Sequence, residues 1–211
     1  HDKLWNSEYG QKQKTERDHI YFGTVLEHIL LQNLCAFYDV GEHNEMRLHG
    51  ADWNDALDMA WEKGESVAFT CAYAGNLRNI AKTLRQLEEI SGSSKIEIAH
   101  ETEDLLAGGV ELYEDAARKQ ALLAGYAKKC EHNISGDTIV VRLDQLAANL
   151  EEKADWMMKN IRANEWVKDG EDGWFNGYYD NHGRKVEGVM DESVRMMLTG
   201  QVFAIMSGTA T

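Results

Sequence analysis

The fold is decided first by 22-FGTVLEHILLQNLCAF-37, whose apolar side chains recur at the spacing of an α-helix. The same period resumes after Gly64 and continues to the C-terminal part of the chain. It predicts helices over residues 16–39, 64–90, 103–132, 142–164 and 190–207. Residues 1–15 are polar and expected to be irregular, and 95–100 alternate well enough for a short strand or an extended connector. We therefore expect an all-α fold of about five long helices.

Composition bounds the class of protein. The chain has 211 residues, of which 22 are basic and 36 acidic, so its net charge is −14. This charge repels nucleic acid and anionic membrane surfaces, and no run of about 18 apolar residues is present to cross a bilayer. The three cysteines lie within predicted helices, which is typical of free thiols in a reducing compartment. We expect a cytoplasmic protein with neither nucleic acid nor membrane as a partner.

The loop between the first two predicted helices concentrates groups that suit a sugar site. It contains 48-LHGADWNDALD-58, in which Trp53 lies among Asp52, Asp55 and Asp58. An indole can stack on the apolar face of a pyranose, and a carboxylic acid can protonate a glycosidic oxygen. Turn formation, helix capping and packing explain the same residue types without a ligand. Metal binding is disfavoured, since the spacing is not that of a calcium loop and no zinc set lies nearby.

A second aromatic segment is 173-GWFNGYYDNHG-183, where Asn-His-Gly indicates the tip of a hairpin near residues 173–186. The aromatic side chains of this segment suit the wall of a glycan groove. A hairpin packed against the rest of the fold would require the same residues, so both interpretations stay open.

Several motifs together resemble the glycoside phosphorylases of glycoside hydrolase family 94, a group that includes cellobiose and 1,2-β-oligoglucan phosphorylases. The first is 50-GADWND-55, followed by 64-GESV-67 at the start of the next helix. Two later segments, 173-GWFNGYYD-180 and 199-TGQVFAIMSG-208, are similar to later parts of the same catalytic domain. The resemblance runs from about residue 16 to the C-terminus.

This resemblance implies an (α/α)6 barrel and inverting phosphorolysis of a β-linked glucan or disaccharide to a sugar 1-phosphate. By position in the motif, Asp55 is the general acid and Trp53 lines the sugar subsite, with Asp52, Trp174 and Tyr178 as further substrate-binding residues. Inorganic phosphate is the co-substrate, and neither a metal nor another cofactor is implied. One protein acid suffices because phosphate is itself the nucleophile, whereas an inverting hydrolase needs a second carboxylate to activate water.

Length qualifies the expectation, because a barrel of twelve helices normally needs more than 211 residues. We therefore expect residues 1–211 to be one domain that is an incomplete portion of a catalytic barrel. The residues that hold phosphate in the family lie outside the matched stretch, so the isolated chain is expected to be inactive. Its apolar faces are expected to pack against other copies or the remainder of the same polypeptide. Two alternatives remain: an (α/α)6 glycoside hydrolase or carbohydrate-binding relative, and an inactive helical scaffold fragment.

Overall fold

The computed structural model describes residues 12–50, 55–190 and 193–210, and at 55 and 56 it describes the backbone alone. Long helices dominate these residues. The α-helices are α1 Val25–Tyr38, α2 Val67–Ser91, α3 Val110–Tyr113, α4 Ala116–Lys129, α5 Leu143–Asn164 and α6 Leu198–Ser207, with 3-10 helices at Asp55–Ala60 and His100–Leu106.

Short strands fill the connections between the helices. They are β1 Lys14–Thr15, β2 Met46–Arg47, β3 Glu65–Ser66, β4 Lys95–Ala99, β5 Asn133–Ile134, β6 Thr138–Arg142, β7 Trp166–Asp169, β8 Asp172–Phe175, β9 Tyr178–Tyr179, β10 Gly188–Met190 and β11 Ser193–Arg195. β2, β3 and β9 form a three-stranded antiparallel sheet. β4 pairs with β6, β7 with β8 and β10 with β11, all antiparallel, while β1 and β5 are parallel.

The prediction of an all-α fold is therefore wrong: the chain is mixed, about half helical and about one fifth strand. Every described strand contains only two to five residues, too few for an alternating pattern to stand out beside long helical stripes. A barrel made only of helices and loops does not describe this structure. The predicted strand at 95–100 is present as β4, and its partner β6 lies in the segment after α4.

Helix boundaries differ from the predicted ones where local capping takes precedence over the apolar period. α1 begins only at Val25, because the Thr24 hydroxyl caps it by accepting a hydrogen bond from the Glu27 backbone at 3.1 Å. The third predicted helix is divided at Gly109, whose φ of 111° is incompatible with a continuous helix. α6 starts eight residues late, since the β10–β11 hairpin occupies the preceding segment.

The core lies mainly between α2 and α5, which pack against each other along their length. Both helices turn an apolar stripe inward, as their 3.6-residue period predicts. The buried members of this cluster include Ala74, Leu77, Ala81, Leu84, Leu146, Ala147, Leu150, Ala154 and Met158. Among the helices described, we find none with the length and apolar character needed to cross a bilayer. The assignment of all 211 residues to one incomplete domain stays a prediction.

The β7–β8 hairpin lies earlier in the chain than the predicted hairpin at 173–186. It turns at Gly170, which has a φ of 62°. The segment predicted to be a hairpin tip is a tight turn over residues 180–184, closed by one bridge between Tyr179 and Lys185. The turn itself is thus where Asn-His-Gly places it, and Tyr179 pairs both with Lys185 across the turn and, through β9, with β3.

Candidate functional site

The loop with the acidic cluster, residues 48–64, projects from the β2–β3–β9 sheet. Its two ends are tied together, since the Leu48 amide donates to the Gly64 carbonyl at 3.0 Å and β2 pairs with β3 just before and after it. His49 and Gly50 both have positive φ, at 49° and 104°, so the chain turns sharply as the loop begins. His49 is fixed by a 2.5 Å contact to Asp39. The loop therefore starts and ends at fixed points on the sheet.

The far end of the loop is anchored by apolar burial. The 3-10 helix Asp55–Ala60 buries Leu57 and Ala60, which pack with Leu48 and Tyr178 in a small apolar cluster. Leu57 is 1% exposed, so moving it into water would cost about 1.5–3 kcal/mol. This burial fixes the backbone two residues after the candidate acid and so restricts where Asp55 can lie.

A turn from a distant part of the chain holds the same loop by hydrogen bonds. The Asn181 side-chain oxygen accepts from the amides of Glu62 and Lys63 at 2.8 and 2.9 Å. The backbone amide of Asn181 in turn donates to the Met59 carbonyl at 2.8 Å. Asp180 stabilises this turn by accepting from the His182 amide at 2.8 Å. The motif at 173–183 thus supports the acidic loop. The two segments are far apart in the sequence and come together only in the fold.

The structure describes some of the predicted site residues fully, one by its backbone alone and two not at all. Asp52 and Trp53 lie outside the described residues, and Asp55 is described only as the first residue of the 3-10 helix. Trp174 is 7% exposed, and its buried indole Nε1 has no hydrogen-bond partner among the described residues. Tyr178 is completely buried in the cluster under the loop. Tyr178 lies on β9 beside the loop and Trp174 on β8 of the β7–β8 hairpin. Neither side chain is open to solvent, and their substrate contacts stay predictions.

Three buried glutamates lie under the sheet, and none of them was singled out from sequence. Glu65 and Glu165 are 2% and 1% exposed, and each is well hydrogen-bonded. The Tyr179 hydroxyl donates to Glu165 Oε1 at 2.7 Å and the Asn176 amide donates to Oε2 at 3.0 Å. Glu45 is fully buried. Burial, followed by the negative charge of Glu165, raises the pKa of Glu45 well above its usual range.

His43 connects this cluster to a cavity. Its Nδ1 lies 2.7 Å from Glu65 Oε1, and its ring stacks on Tyr179 with centroids 3.7 Å apart and planes within 10°. The Nε2 edge of the ring is near Gly183, where an added Cβ would come within 3.8 Å of that nitrogen. A histidine oriented by a buried carboxylate in this way can exchange a proton or bind a polar group.

The cavity beside His43, called here the loop cavity, has a volume of about 510 Å³. That volume is within the ~300–1,000 Å³ of small-ligand sites. Its wall includes the last residues of the acidic loop and the turn at 181–183. The lining residues are Gly41, Glu42, His43, Arg47, Glu62, Lys63, Glu65, Gln120, Asn181, His182 and Gly183. The lining carries charges of both signs and suits a polar ligand.

One further carboxyl group lies near the loop. Glu187 is 2% exposed, and an added Cβ on Gly177 would come within 2.7 Å of its Oε1. Burial raises the pKa of Glu187 to about 7, an effect opposed by the backbone amides of Met197 and Gly177. Near neutral pH this side chain is partly protonated, so the surroundings of the acidic loop hold less negative charge than the sequence suggests.

Sequence reasoning missed the His43–Glu65 pair because its signal is weak. The two residues are 22 positions apart and meet only when β2 pairs with β3. Glu65 is part of 64-GESV-67, a motif that carries the resemblance but indicates no chemical role by itself. A glutamate at the start of an apolar helix, next to a glycine, is the one hint that this position is buried.

Comparison with known proteins gives a distant relation to glycoside phosphorylases. No family model matches the chain. The chain is similar to solabiose phosphorylase from Paenibacillus borealis, with 26% identity over 190 residues. The matched region covers 89% of this chain and 17% of that protein, so the chain spans about one sixth of the relative's length.

Proposed function

We propose that the chain is the acid-bearing portion of an inverting glycoside phosphorylase. In this reaction Asp55 protonates the glycosidic oxygen of a β-linked glucan or disaccharide. Inorganic phosphate, as co-substrate, attacks the anomeric carbon from the opposite face and gives a sugar 1-phosphate. The bond from the anomeric carbon to the leaving sugar breaks as the bond to phosphate forms, and the proton of Asp55 leaves on the released hydroxyl. No base is needed, because phosphate arrives as an anion.

The observation that carries the proposal is the agreement between motif and relative. The loop 50-GADWND-55 and the following 64-GESV-67 resemble family 94 phosphorylases, and the similar protein from Paenibacillus borealis is named a phosphorylase. The anchoring of the loop by Leu57 and Asn181 supports a role that needs a fixed position, because a general acid works only within hydrogen-bond reach of its target. Trp53, Asp52, Trp174 and Tyr178 are proposed to contact sugar. The cysteines, free where described, support a cytoplasmic enzyme of the glycosyltransferase class.

The test is Asp55→Asn in the complete polypeptide that carries these residues. The amide is nearly isosteric but has no proton to give, so release of sugar 1-phosphate should fall by about 10²–10⁴-fold while sugar affinity is kept. Asp58→Asn is the matched control, since Asp58 is an exposed carboxylate in the same 3-10 helix. Turnover near that of the control in Asp55→Asn would contradict the proposal.

A phosphate-free reaction separates phosphorolysis from hydrolysis. Without phosphate we expect no cleavage of β-linked di- or oligosaccharides. When phosphate is added, we expect glucose 1-phosphate to form. Free glucose formed without phosphate would instead identify a hydrolase with water activated by a second carboxylate.

Trp53→Ala should act on binding, raising the KM for sugar by roughly fivefold, as expected for about 1 kcal/mol of lost aromatic contact.

A further inference from the structure

Asn181 is the residue through which a distant turn holds the acidic loop. Its side-chain oxygen accepts from the amides of Glu62 and Lys63, and its own backbone amide donates to the Met59 carbonyl. Met59 belongs to the 3-10 helix that begins at Asp55. One side chain and one backbone group of the same residue therefore fix both the later part of this helix and the segment that follows it.

Burial holds the middle of the loop but not the segment that the turn contacts. Leu57 and Ala60 are buried, whereas the next three residues, 61–63, are exposed. Burial of apolar area fixes a side chain only when water is excluded from it, so these three residues gain little from packing. The position of residues 61–63 therefore depends on the hydrogen bonds to the turn.

The first end of the loop has a weaker hold. His49 lies 2.5 Å from Asp39, but the His49 side chain is 55% exposed. Water and salt screen a contact of this kind, so it restricts the backbone little. The hydrogen bonds at the second end are consequently the stronger constraint on the 3-10 helix.

The turn that carries Asn181 is rigid enough to transmit this constraint. The Asp180 carboxylate is 8% exposed and accepts from the amides of His182 and Arg184 at 2.8 and 2.9 Å. Its second oxygen accepts from Arg184 Nε at 2.9 Å. The preceding residue, Tyr179, pairs with β3 in the three-stranded sheet. The side chain of Asn181 is thus fixed relative to the sheet from which the loop projects.

We propose that Asn181 is a positioning residue for the general acid. It fixes the 3-10 helix and so holds Asp55, the first residue of that helix, within reach of the glycosidic oxygen. A displacement of about 1 Å at a reacting group can lower a rate by about 100-fold, even when its cause lies far from the chemistry. The inference rests on the proposed function for the role of Asp55, and it adds a residue that acts through the loop backbone.

The test compares two substrates in the complete polypeptide that carries these residues. The leaving oxygen of a β-linked glucan needs a proton, whereas 2,4-dinitrophenyl β-glucoside releases a dinitrophenolate anion that needs none. With both substrates phosphate attacks the anomeric carbon as the bond to the leaving oxygen breaks. Asn181→Ala should lower kcat on the glucan by about tenfold or more and kcat on the aryl glucoside by less than about twofold, with the KM for sugar unchanged.

Three further variants separate position from stability. Asn181→Asp keeps an oxygen that can accept the same two amides, so it should restore kcat on the glucan to within about threefold of wild type. Asn181→Gln keeps the amide but moves its oxygen by one methylene, so it should behave like Asn181→Ala and replaces it if that variant does not fold. Asn164→Ala is the matched control, because Asn164 is exposed and its side chain donates to that of Asn160. It should behave like wild type on both substrates.

Wild-type kcat on the glucan in Asn181→Ala would overturn the inference. An equal loss on both substrates would also overturn it, because the residue would then support the fold and not the acid. Asp55→Asn distinguishes this failure from failure of the proposed function. If Asp55→Asn keeps wild-type turnover, the acid lies elsewhere and both proposals fall. If Asp55→Asn loses activity on the glucan alone and Asn181→Ala does not, only the positioning role of Asn181 is refuted.

Discussion

Two lysines buried in the core have pKa values far below the usual value for lysine. Lys119 and Lys153 are 1% and 0% exposed. Lys119 donates to the Asn44 side-chain oxygen at 2.8 Å, and Lys153 donates to Asn149 and to the Ala107 carbonyl, each at 2.8 Å. Burial lowers the pKa of both amines to about 7, although Glu45 partly opposes the shift at Lys119.

These lysines predict stability that rises with pH above neutrality. Between about 7 and 10.5 the unfolded chain keeps the two protons while the folded chain has released them, so the unfolded state binds more protons and raising the pH favours folding. Lys119→Met removes one of the two groups. The free energy of unfolding, measured by urea denaturation from pH 7 to 9.5, should then rise less steeply than in wild type.

Lys128→Met is the control for this measurement, because Lys128 is exposed near the end of the same helix α4. It should keep the wild-type slope. If Lys119→Met also keeps that slope, Lys119 is charged in the folded protein and its site is more polar than the contacts indicate.

At the scale of residues, the sequence identifies candidate site residues when they lie in one contiguous motif. Asp55 and Trp53 stand in one such motif, and their candidacy needs no tertiary information. His43, Glu65 and Glu165 could not be found in this way, because they come from three separate segments joined by the β2–β3–β9 sheet. The fold brings ordinary glutamates together in one buried cluster, and burial of a polar side chain leaves almost no trace in a single sequence.

Two glycines test how tightly elements are packed. An added Cβ on Gly64 would come within 2.2 Å of the Ala60 carbonyl oxygen, which belongs to backbone and cannot move aside cheaply. Gly64→Ala should therefore destabilise the chain by about 1–3 kcal/mol and displace the loop that carries Asp55. Gly125 lies within α4, and no described residue comes within 4 Å of its added Cβ. Gly125→Ala should stabilise by about 0.5–1 kcal/mol, since alanine loses less entropy on entering a helix.

Urea denaturation of both variants gives the comparison, and release of sugar 1-phosphate by the complete polypeptide shows whether the loop has moved. A Gly64→Ala protein as stable as wild type would mean that the loop is held loosely at its second end. That result would weaken the argument that the sheet positions the acid.

At the scale of elements, long helices were predicted well and their connections poorly. α2 and α5 follow the predicted ranges within a few residues because their apolar stripes run for six turns or more. The five small sheets were mostly missed, since strands of two or three residues are defined by partners far along the chain. Thr24, Gly109 and the β10–β11 hairpin set the boundaries that periodicity alone placed wrongly.

At the scale of the whole molecule, α6 leaves one apolar face open. Its buried face contains Gly200 and Ala204, and Gly200 approaches Gly177 closely enough that an added Cβ would come within 3.1 Å of it. The other face exposes four large apolar side chains at helical spacing. These are Leu198, Val202, Ile205 and Met206, with exposures of 74%, 38%, 69% and 75%.

This face predicts association of the chain with itself, because exposed apolar patches larger than a few hundred Å² usually mark interaction surfaces. Sedimentation velocity should show the average molecular mass rising with protein concentration between about 10 and 200 µM, as expected for a weak interface between copies of the chain. Ile205→Glu should shift the sample toward monomer, whereas Val140→Glu, on the exposed side of β6, should not. A monomer at every concentration would show that the α6 face does not bind a second copy.

These 211 residues are expected to lack phosphorolytic activity by themselves. Phosphorolysis needs an acid and a bound phosphate on opposite faces of the same sugar, and alignment of the two reactants supplies much of the rate. The chain carries the acid motif, yet it spans only 17% of the phosphorylase to which it is similar. The family resemblance implies that the segments that hold phosphate lie outside the matched stretch. We therefore expect the chain to bind β-linked gluco-oligosaccharides and to release no glucose 1-phosphate when phosphate is added. A coupled assay that detects glucose 1-phosphate tests this, with Asp55→Asn as the blank. Product above that blank would mean that the residues at the loop cavity, Arg47, Lys63 and His182 among them, already form the phosphate site.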